Sequence, residues 1–403
     1  MLDTAQTIIE EAAKKLGLNR KTIDSLLKMD AEHQFEITLN DGTKLKAYRV
    51  QHNNKLGPYK GGIRFHPNVD LDEARALATL MSLKTAAAGL PLGGGKGGVS
   101  VNPKDLSRKQ LEEISRKYVQ YLHPYIGPDK DIPAPDVNTN STVIDWMVDE
   151  YEQLTGDKSH ASFTGKSIKA GGSLGRDAAT GRGGVIALAE LLKYKGKADK
   201  PLTYATQGYG NVGSYFATVA SSEHPKWKLV AVSDSSKTLY KQSGLDAKDL
   251  ADYKNRSGHF SDYKGPGIKR LDEKDILGLD VDVLVLAALE DTVTKDNVKD
   301  VKARYIVEMA NGPVTKTALD YLTKKDVVVL PGIVANAGGV IVSYLEWLQN
   351  KKGQKWPESK VNKLLNEYMI KAVKNMVEAA KQHNAVNLSE AAFMVAIKKL
   401  ASS

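Results

Sequence analysis

Gly208, Gly210 and Gly213 constrain the fold of this chain more tightly than any other feature. They follow an apolar stretch, Leu202 to Thr206, whose length and composition predict a buried strand. They open a segment that reads as a helix to about Ser221. A G-x-G-x-x-G pattern is weak by itself. Between a strand and a helix it predicts a βα turn whose glycines allow a tight bend and the close approach of a pyrophosphate. The helix start adds unpaired N–H groups and a favourable dipole for phosphate. A second strand-like run, Lys228 to Val232, ends in Ser233-Asp234. Asp234 lies about 20 residues beyond Gly213, the spacing expected of a ribose-binding carboxylate. Further apolar runs at Val281–Ala287, Tyr305–Val307 and Val327–Leu330 predict more parallel strands, and hence a Rossmann-type domain over residues 176–337.

The rest of the chain has a different grammar. With 403 residues, two domains are expected. Ile8, Ile9, Ala12 and Leu16 recur at helical spacing before Gly17, and a second short helix follows. Phe35, Ile37 and Leu39 alternate with polar residues up to Asp41-Gly42, a hairpin turn leading to Leu45, Ala47 and Tyr48. Asp70 with Glu73 resembles a capping box opening a helix to about Ala88. These signals predict a mixed-sheet first domain over residues 1–175, to which the resemblance described below assigns substrate binding. Gly171, Gly172 and Gly175, just before Arg176, mark a hinge or crossover. Val361, Leu364, Leu365, Tyr368, Met369 and Ala372 share one helical face, so the helices of 338–403 are expected to pack back on the first domain.

Composition narrows the partners. The absence of cysteine excludes disulfides, Cys-based zinc sites and thiol nucleophiles, and suits a reducing compartment. No apolar run approaches the length of a membrane span, and Met1-Leu2-Asp3-Thr4 lacks the plan of a signal peptide. A cytoplasmic protein with no membrane partner is expected. The net charge of +9 is dispersed among acids, with no nucleic-acid motif, so the expected partner is a small anion and no nucleic acid. His66 lacks a partner at metal-ligand spacing, and no metal site is expected.

Four residues stand out as candidates for chemistry. Lys96 sits among Gly93, Gly94, Gly95, Gly97 and Gly98, which predicts tight irregular backbone around an amine. Desolvation there would lower its proton affinity, although a mobile loop with a solvated lysine fits the same residues. A P-loop is excluded, because Leu90 and Gly97 occupy its first-glycine and Ser/Thr positions. Lys84 follows Leu77 and Met81 and precedes Ala88 on one helical face, so it is expected to point inward and to need an anion. Lys60 precedes Gly61-Gly62 in what reads as a compact loop. Asp136 follows Pro133 and Pro135, which stiffen the backbone before it, although an Asp-capped turn is the simpler reading of that run. On the nucleotide side, Asp234 favours NAD, whereas Ser235, Ser236 and Lys237 would suit NADP if Asp234 turned away. The balance leans slightly to NADP, with dual use open.

Together these motifs resemble the glutamate dehydrogenase family, within the wider amino-acid dehydrogenases. The resemblance runs through Lys60-Gly-Gly-Ile-Arg-Phe-His-Pro67, Met81-Ser-Leu-Lys84, the Lys96 run, Pro135-Asp136-Val-Asn-Thr139, the Gly208 turn and Ala335-Asn336-Ala-Gly-Gly-Val340 up to Ser343. It implies a two-domain α/β fold and NAD(P)-dependent conversion of L-glutamate to 2-oxoglutarate and ammonium in a homo-hexamer. It further implies that Lys60 and Ser343 bind the side-chain carboxylate and Lys84 the α-carboxylate. Lys96 would activate water, and Asp136 would shuttle protons at the amino nitrogen. Thr180 and Asn211 would orient the nicotinamide. Relatives acting on leucine, phenylalanine or valine have apolar residues at the positions of Lys60 and Ser343. Leu286-Ala287-Ala288, Asp291 and Met309 depart from the family pattern, all on the nucleotide side.

Overall fold

A computed structural model describes residues 2–198 and 200–402. The chain divides into two compact units. One runs to residue 175 and includes 340–363 and the segment from 393; the other comprises 176–339 and 364–392.

The first unit begins with α1 (Leu2–Lys15), ended by Gly17 at φ 70°, and α2 (Arg20–Leu27). Its sheet is built from β1 (Ala31–Thr38), β2 (Lys44–Asn53), β3 (Tyr59–Phe65), β4 (Gly94–Val99) and β5 (Asp131–Pro135), in the order β1-β2-β4-β3-β5. β1 and β2 form the expected hairpin, with Phe35 opposite Ala47 and Ile37 opposite Leu45. β4 is antiparallel to β2, whereas β3 runs parallel to both β4 and β5. α3 (Leu71–Ala87) covers one face, where Ala74 and Ala78 meet Tyr48, Val50 and Val69. α4 (Arg108–Leu122) and α5 (Ser141–Thr155) cover the other, packing Tyr118, Leu122 and Met147 on Ile63, Phe65 and Val99.

Several local expectations change. The glycine run around Lys96 is neither loop nor mobile: it is β4, buried along its whole length. A Cβ on Gly94 would lie 2.2 Å from the Ser82 nitrogen of α3, and one on Gly97 2.2 Å from the Tyr118 hydroxyl of α4. Glycine here lets helices approach the strand from both faces. Lys60 likewise lies on a strand, β3, rather than in a loop. Pro133 and Pro135 belong to β5, which pairs only with β3; an edge strand tolerates residues with no N–H to donate. Asp70 does cap α3, accepting the Glu73 amide at 2.7 Å. The Glu73 carboxylate, however, turns to Arg64 instead of completing a capping box.

The second unit alternates strands and helices: α6 (Ala179–Tyr194), β6 (Leu202–Gln207), α7 (Asn211–Glu223), β7 (Trp227–Ser233), β8 (Thr238–Tyr240), α8 (Ala247–Ser257), β9 (Lys269–Leu271), β10 (Val283–Leu286), β11 (Tyr305–Glu308), α9 (Lys316–Lys324), β12 (Val328–Leu330) and α10 (Gly332–Ala335). The sheet order is β12-β11-β10-β6-β7-β8-β9, with the first five strands parallel and the last two joined antiparallel. Sequence periodicity misses β8 and β9, because three residues are too few to carry it. The C-terminal helices are α11 (Gly338–Lys351), α12 (Glu358–Gln382) and α13 (Leu388–Ser402). They were expected to join the first unit throughout, but residues 364–392 group with the second. The stripe on α12 announces burial without naming what covers it; Met369 packs near Gly183 of α6. Among the described residues, no helix is long and apolar enough to cross a membrane.

Candidate active site

Strand geometry decides which charges meet. Side chains alternate along a strand, so Lys60 and Arg64 of β3 and Lys96 of β4 share the face that α3 covers. Lys96 Nζ lies 2.8 Å from Asp136 Oδ2, just beyond the end of β5. Lys60 is buried, and its Nζ donates to the Ile132 carbonyl of β5 at 3.1 Å. The loop after β5 owes its shape to the two residues that close the Pro135–Thr139 run. The Asp136 amide donates to Thr139 Oγ1 at 2.7 Å, Thr139 Oγ1 donates to the Ile63 carbonyl at 2.8 Å, and Asn138 Nδ2 donates to the Phe65 carbonyl at 2.9 Å. Asn138 sits at φ 59°, a left-handed conformation that asparagine tolerates better than most residues. The prolines therefore stiffen the approach to Asp136, while Asn138 and Thr139 tie the turn to β3.

Electrostatics distinguish the three neighbouring groups. Burial pushes Lys96 below its ordinary range, partly offset by Asp136. Burial would raise Asp136, but Lys96 and Arg64 outweigh it and hold the carboxyl below its usual range. Lys84 is pulled down to about 8, first by burial and then by repulsion from Lys96, against a smaller pull from Asp136. Its expected inward stripe needs correction. Leu77, Met81 and Lys84 form a half-buried flank of α3, while Ala74, Ala78 and Ser82 make the buried face. Among the described residues Lys84 Nζ makes no hydrogen bond or ion pair within the chain. An ammonium beside a second ammonium, with no partner of its own, is a ready receptor for an anion.

Lys84 thereby gives a pH test. Above its pKa the amine is neutral and its attraction for a carboxylate is lost. The Kd for 2-oxoglutarate is expected to be flat below about pH 7.5 and to rise about tenfold per unit above about pH 8. Lys84→Arg, which stays charged, should abolish the rise. A wild-type Kd constant to about pH 9.5 would remove Lys84 from carboxylate binding.

Ser343 of α11 shares a 3.0 Å hydrogen bond with Thr164, both groups being buried. The Thr164 amide donates to the Pro133 carbonyl at 3.0 Å, next to the carbonyl that holds Lys60. Lys60 and Ser343 thus converge on neighbouring residues of β5. A fully buried pair, Lys166–Glu346 at 2.7 Å, fixes the loop bearing Thr164, with Glu346 also accepting the Gly165 amide at 3.0 Å. On the opposite face of the sheet, buried Arg49 pairs with Asp131 at the start of β5 and donates to the Gly61 carbonyl at 3.2 Å. Thr164 left no signal in the sequence, and Arg64 only as a member of the Lys60–Pro67 run, since each acts through partners distant along the chain.

The second unit carries the nucleotide motif. Gly208 has φ 86°, and a Cβ there would lie 2.8 Å from the Ala287 carbonyl carbon; one on Gly213 would lie 2.0 Å from the Gly208 oxygen. Gly210 is the N-cap of α7, with no side chain bonded to the helix amides and open space where its Cβ would be. Thr206 Oγ1, Gln207 Oε1 and Ser233 Oγ, at the carboxyl ends of β6 and β7, are buried without hydrogen-bond partners. Uncapped amides beside orphaned polar atoms fit a dinucleotide. Asn211 begins α7 and is exposed; Thr180 lies in the first turn of α6, its hydroxyl 2.8 Å from where a Gly339 Cβ would be. Met309 fills the space left by Gly184 of α6, which accounts for one departure from the family pattern.

Asp234 is fully engaged within its own unit. Oδ1 accepts from the Ser236 amide at 2.8 Å, Ser236 Oγ at 2.6 Å and the Lys237 amide at 3.2 Å; Oδ2 accepts from Lys254 and from the Phe260 amide at 2.8 Å. Burial opposes ionisation, but these donors hold its pKa at about 2. Ser235 beside it is exposed.

The comparisons agree with this geometry. Residues 171–403 match the Glutamate/Leucine/Phenylalanine/Valine dehydrogenase family, and residues 30–153 match the Glu/Leu/Phe/Val dehydrogenase dimerisation domain. The chain is 40% identical to the NAD-specific glutamate dehydrogenase of Clostridioides difficile, covering 100% of this chain and 97% of that protein. It is also 40% identical to the NADP-specific glutamate dehydrogenase A1 of Halobacterium salinarum, covering 99% and 96%. A crystal structure of glutamate dehydrogenase from Peptoniphilus asaccharolyticus aligns with a TM-score of 0.88 at 38% identity, over 99% of this chain and 97% of that one. The hetero-hexameric glutamate dehydrogenase from Thermus thermophilus aligns with a TM-score of 0.89 at 32% identity, over 99% and 95%. With its charged sheet face, its nucleotide turn and full-length similarity all in agreement, the chain belongs to the Glu/Leu/Phe/Val dehydrogenase family.

Proposed function

We propose that this protein is a glutamate dehydrogenase, interconverting L-glutamate and 2-oxoglutarate with ammonium and using NADP or NAD. The observation that carries the reading is the unpartnered Lys84 ammonium beside the Lys96–Asp136 pair, on the same sheet face as buried Lys60. Lys84 takes the α-carboxylate, and Lys60 with Ser343 takes the side-chain carboxylate. Asp136, ionised at neutral pH, accepts a proton from the α-ammonium and so frees the nitrogen lone pair. When bound, the nicotinamide supplies the hydride acceptor for the Cα hydrogen. Lys96, whose proton affinity is lowered by burial, releases its proton to solvent and as the neutral amine takes a proton from the water that attacks 2-iminoglutarate. Its ammonium stabilises the resulting oxygen, and Asp136 returns a proton to the departing ammonia. The uncapped start of α7 would hold the pyrophosphate, and Thr180 and Asn211 would orient the nicotinamide. A homo-hexamer in the cytoplasm completes the reading, in keeping with the family resemblance and the cysteine-free composition.

Isotope transfer tests the reaction itself. L-Glutamate deuterated at Cα should yield reduced nicotinamide carrying one deuterium, with 2-oxoglutarate formed in equal amount. Deuterium retained in glutamate or lost to water would contradict the assignment.

NADP is the preferred dinucleotide in this reading. A carboxylate whose oxygens already accept five donors has little capacity left for a ribose 2′-hydroxyl. Exposed Ser235 and the nearby cations Lys237 and Lys254 suit a 2′-phosphate. NADPH is expected to bind at least about tenfold more tightly than NADH by fluorescence titration, with the same order in kcat/KM. Tighter NADH binding would mean that Asp234 exchanges its internal partners for ribose.

A further inference from the structure

Arg64 has no part in the reaction as described so far, yet it touches the proton-shuttling carboxylate. Its Nε donates to Asp136 Oδ2 at 3.0 Å, and its Nη1 donates to Glu73 Oε1 at 2.6 Å. Glu73 stands in the first turn of α3, and Arg64 lies near the end of β3. The guanidinium therefore bridges a carboxylate on the helix and a carboxylate after β5. Lys96 Nζ approaches the same Oδ2 at 2.8 Å. Among the described residues, Oδ1 accepts no hydrogen bond within the chain.

We propose that Arg64, held by Glu73, is the positioning residue for Asp136, turning Oδ2 toward the two cations and leaving Oδ1 to exchange the proton with the substrate nitrogen. This rests on the assignment of Asp136 as the proton shuttle. A carboxylate after a strand end, tied only through its backbone turn, could rotate about its Cα–Cβ and Cβ–Cγ bonds. One contact from Lys96, an ammonium on a flexible stem, would leave much of that freedom. The planar guanidinium, itself fixed by Glu73, supplies a second direction and so defines the carboxylate plane. Arg64 is only partly exposed, at 21% for its side chain, so the pair is not a freely solvated surface contact.

Charge adds to position. The charged groups around Asp136 are Lys96 on β4, Arg64 on β3, and Lys84 and Glu73 on α3, with Arg49 on β2 acting on Lys96 from behind. Removing Arg64 takes one of the two cations in direct contact with the carboxylate. Asp136 would then protonate at higher pH, and the acidic limb of the rate profile should move upward.

The test compares Arg64→Gln, Arg64→Lys and Glu73→Gln in the full-length protein, with Asp136→Asn as the reference. Arg64→Gln should lower kcat for glutamate oxidation about 10- to 100-fold while KM for glutamate changes less than about twofold. Its acidic limb in kcat/KM should rise by about one pH unit. Arg64→Lys should restore the limb but recover kcat only in part, since an ammonium cannot bridge in the same plane. Glu73→Gln should lower kcat in the same direction with a smaller limb shift. An Arg64→Gln enzyme with the same melting temperature, an unmoved limb and kcat within about twofold would overturn the proposal, as would a change confined to KM. Full activity in Asp136→Asn would instead refute the proton-shuttle assignment, so the two failures are distinguishable.

Discussion

Lys96→Ala is expected to lower kcat for glutamate oxidation by about 10³-fold, within the range for loss of a general acid–base group. The effect should fall on kcat more than on KM, because Lys84 and Lys60 hold the carboxylates in the account above. The substitution has two consequences. The variant loses the amine that takes the water proton, and it also loses one of the two cations on Asp136 Oδ2. Arg64 remains, so the carboxylate stays charged near neutrality, and the loss of rate is to be assigned to the missing amine. Placed on a buried strand between two helices, the shortened side chain leaves a small void without disturbing the glycines that admit those helices. A melting curve close to wild type together with the rate loss is the expected pair of results. Retention of more than about a tenth of wild-type kcat would remove Lys96 from the chemical step.

Lys60→Met should change the substrate rather than the chemistry. Lys60 is 1% exposed, so its charge is desolvated whether or not substrate is bound. Its Nζ donates to the Ile132 carbonyl, and a substrate carboxylate would add an ionic partner in the same buried setting. Removing one partner of a buried pair costs about 3–5 kcal/mol, which converts to a fall of roughly 150- to 4,000-fold in kcat/KM for 2-oxoglutarate. The apolar 4-methyl-2-oxopentanoate, which offers the lysine no charge, should gain at least about tenfold. Measurement of both values on both proteins gives the specificity ratio directly. An unchanged ratio would show that the side-chain carboxylate binds elsewhere.

What could be read from the sequence follows the range over which each signal acts. The Gly208 turn, the β1–β2 hairpin and the long apolar strands are local patterns, and the structure places each close to its expected bounds. Lys84, Lys96 and Asp136 could be singled out one by one, and the structure brings them together around one carboxylate. The glycine run misled because composition alone reads as irregular backbone. The physical need was close packing from both faces of a strand, which no local rule detects. The partners of Arg64 and Thr164 are not legible for a related reason. Arg64 finds Asp136 across 72 positions, and Thr164 finds Ser343 across 179. Asp234 shows the limit of spacing arguments: the residue is where a ribose ligand belongs, but its oxygens are engaged by Ser236, Lys237, Lys254 and Phe260.

The central claim, that the charged face of the first sheet serves a dicarboxylic 2-oxo acid, is tested most directly by one rate comparison. Initial rates of NADPH oxidation are measured with 2-oxoglutarate or 4-methyl-2-oxopentanoate, each with and without ammonium. Oxidation should require both 2-oxoglutarate and ammonium, with kcat/KM at least about 10³-fold above that for the apolar acid. Comparable or faster turnover of the apolar acid would contradict that claim.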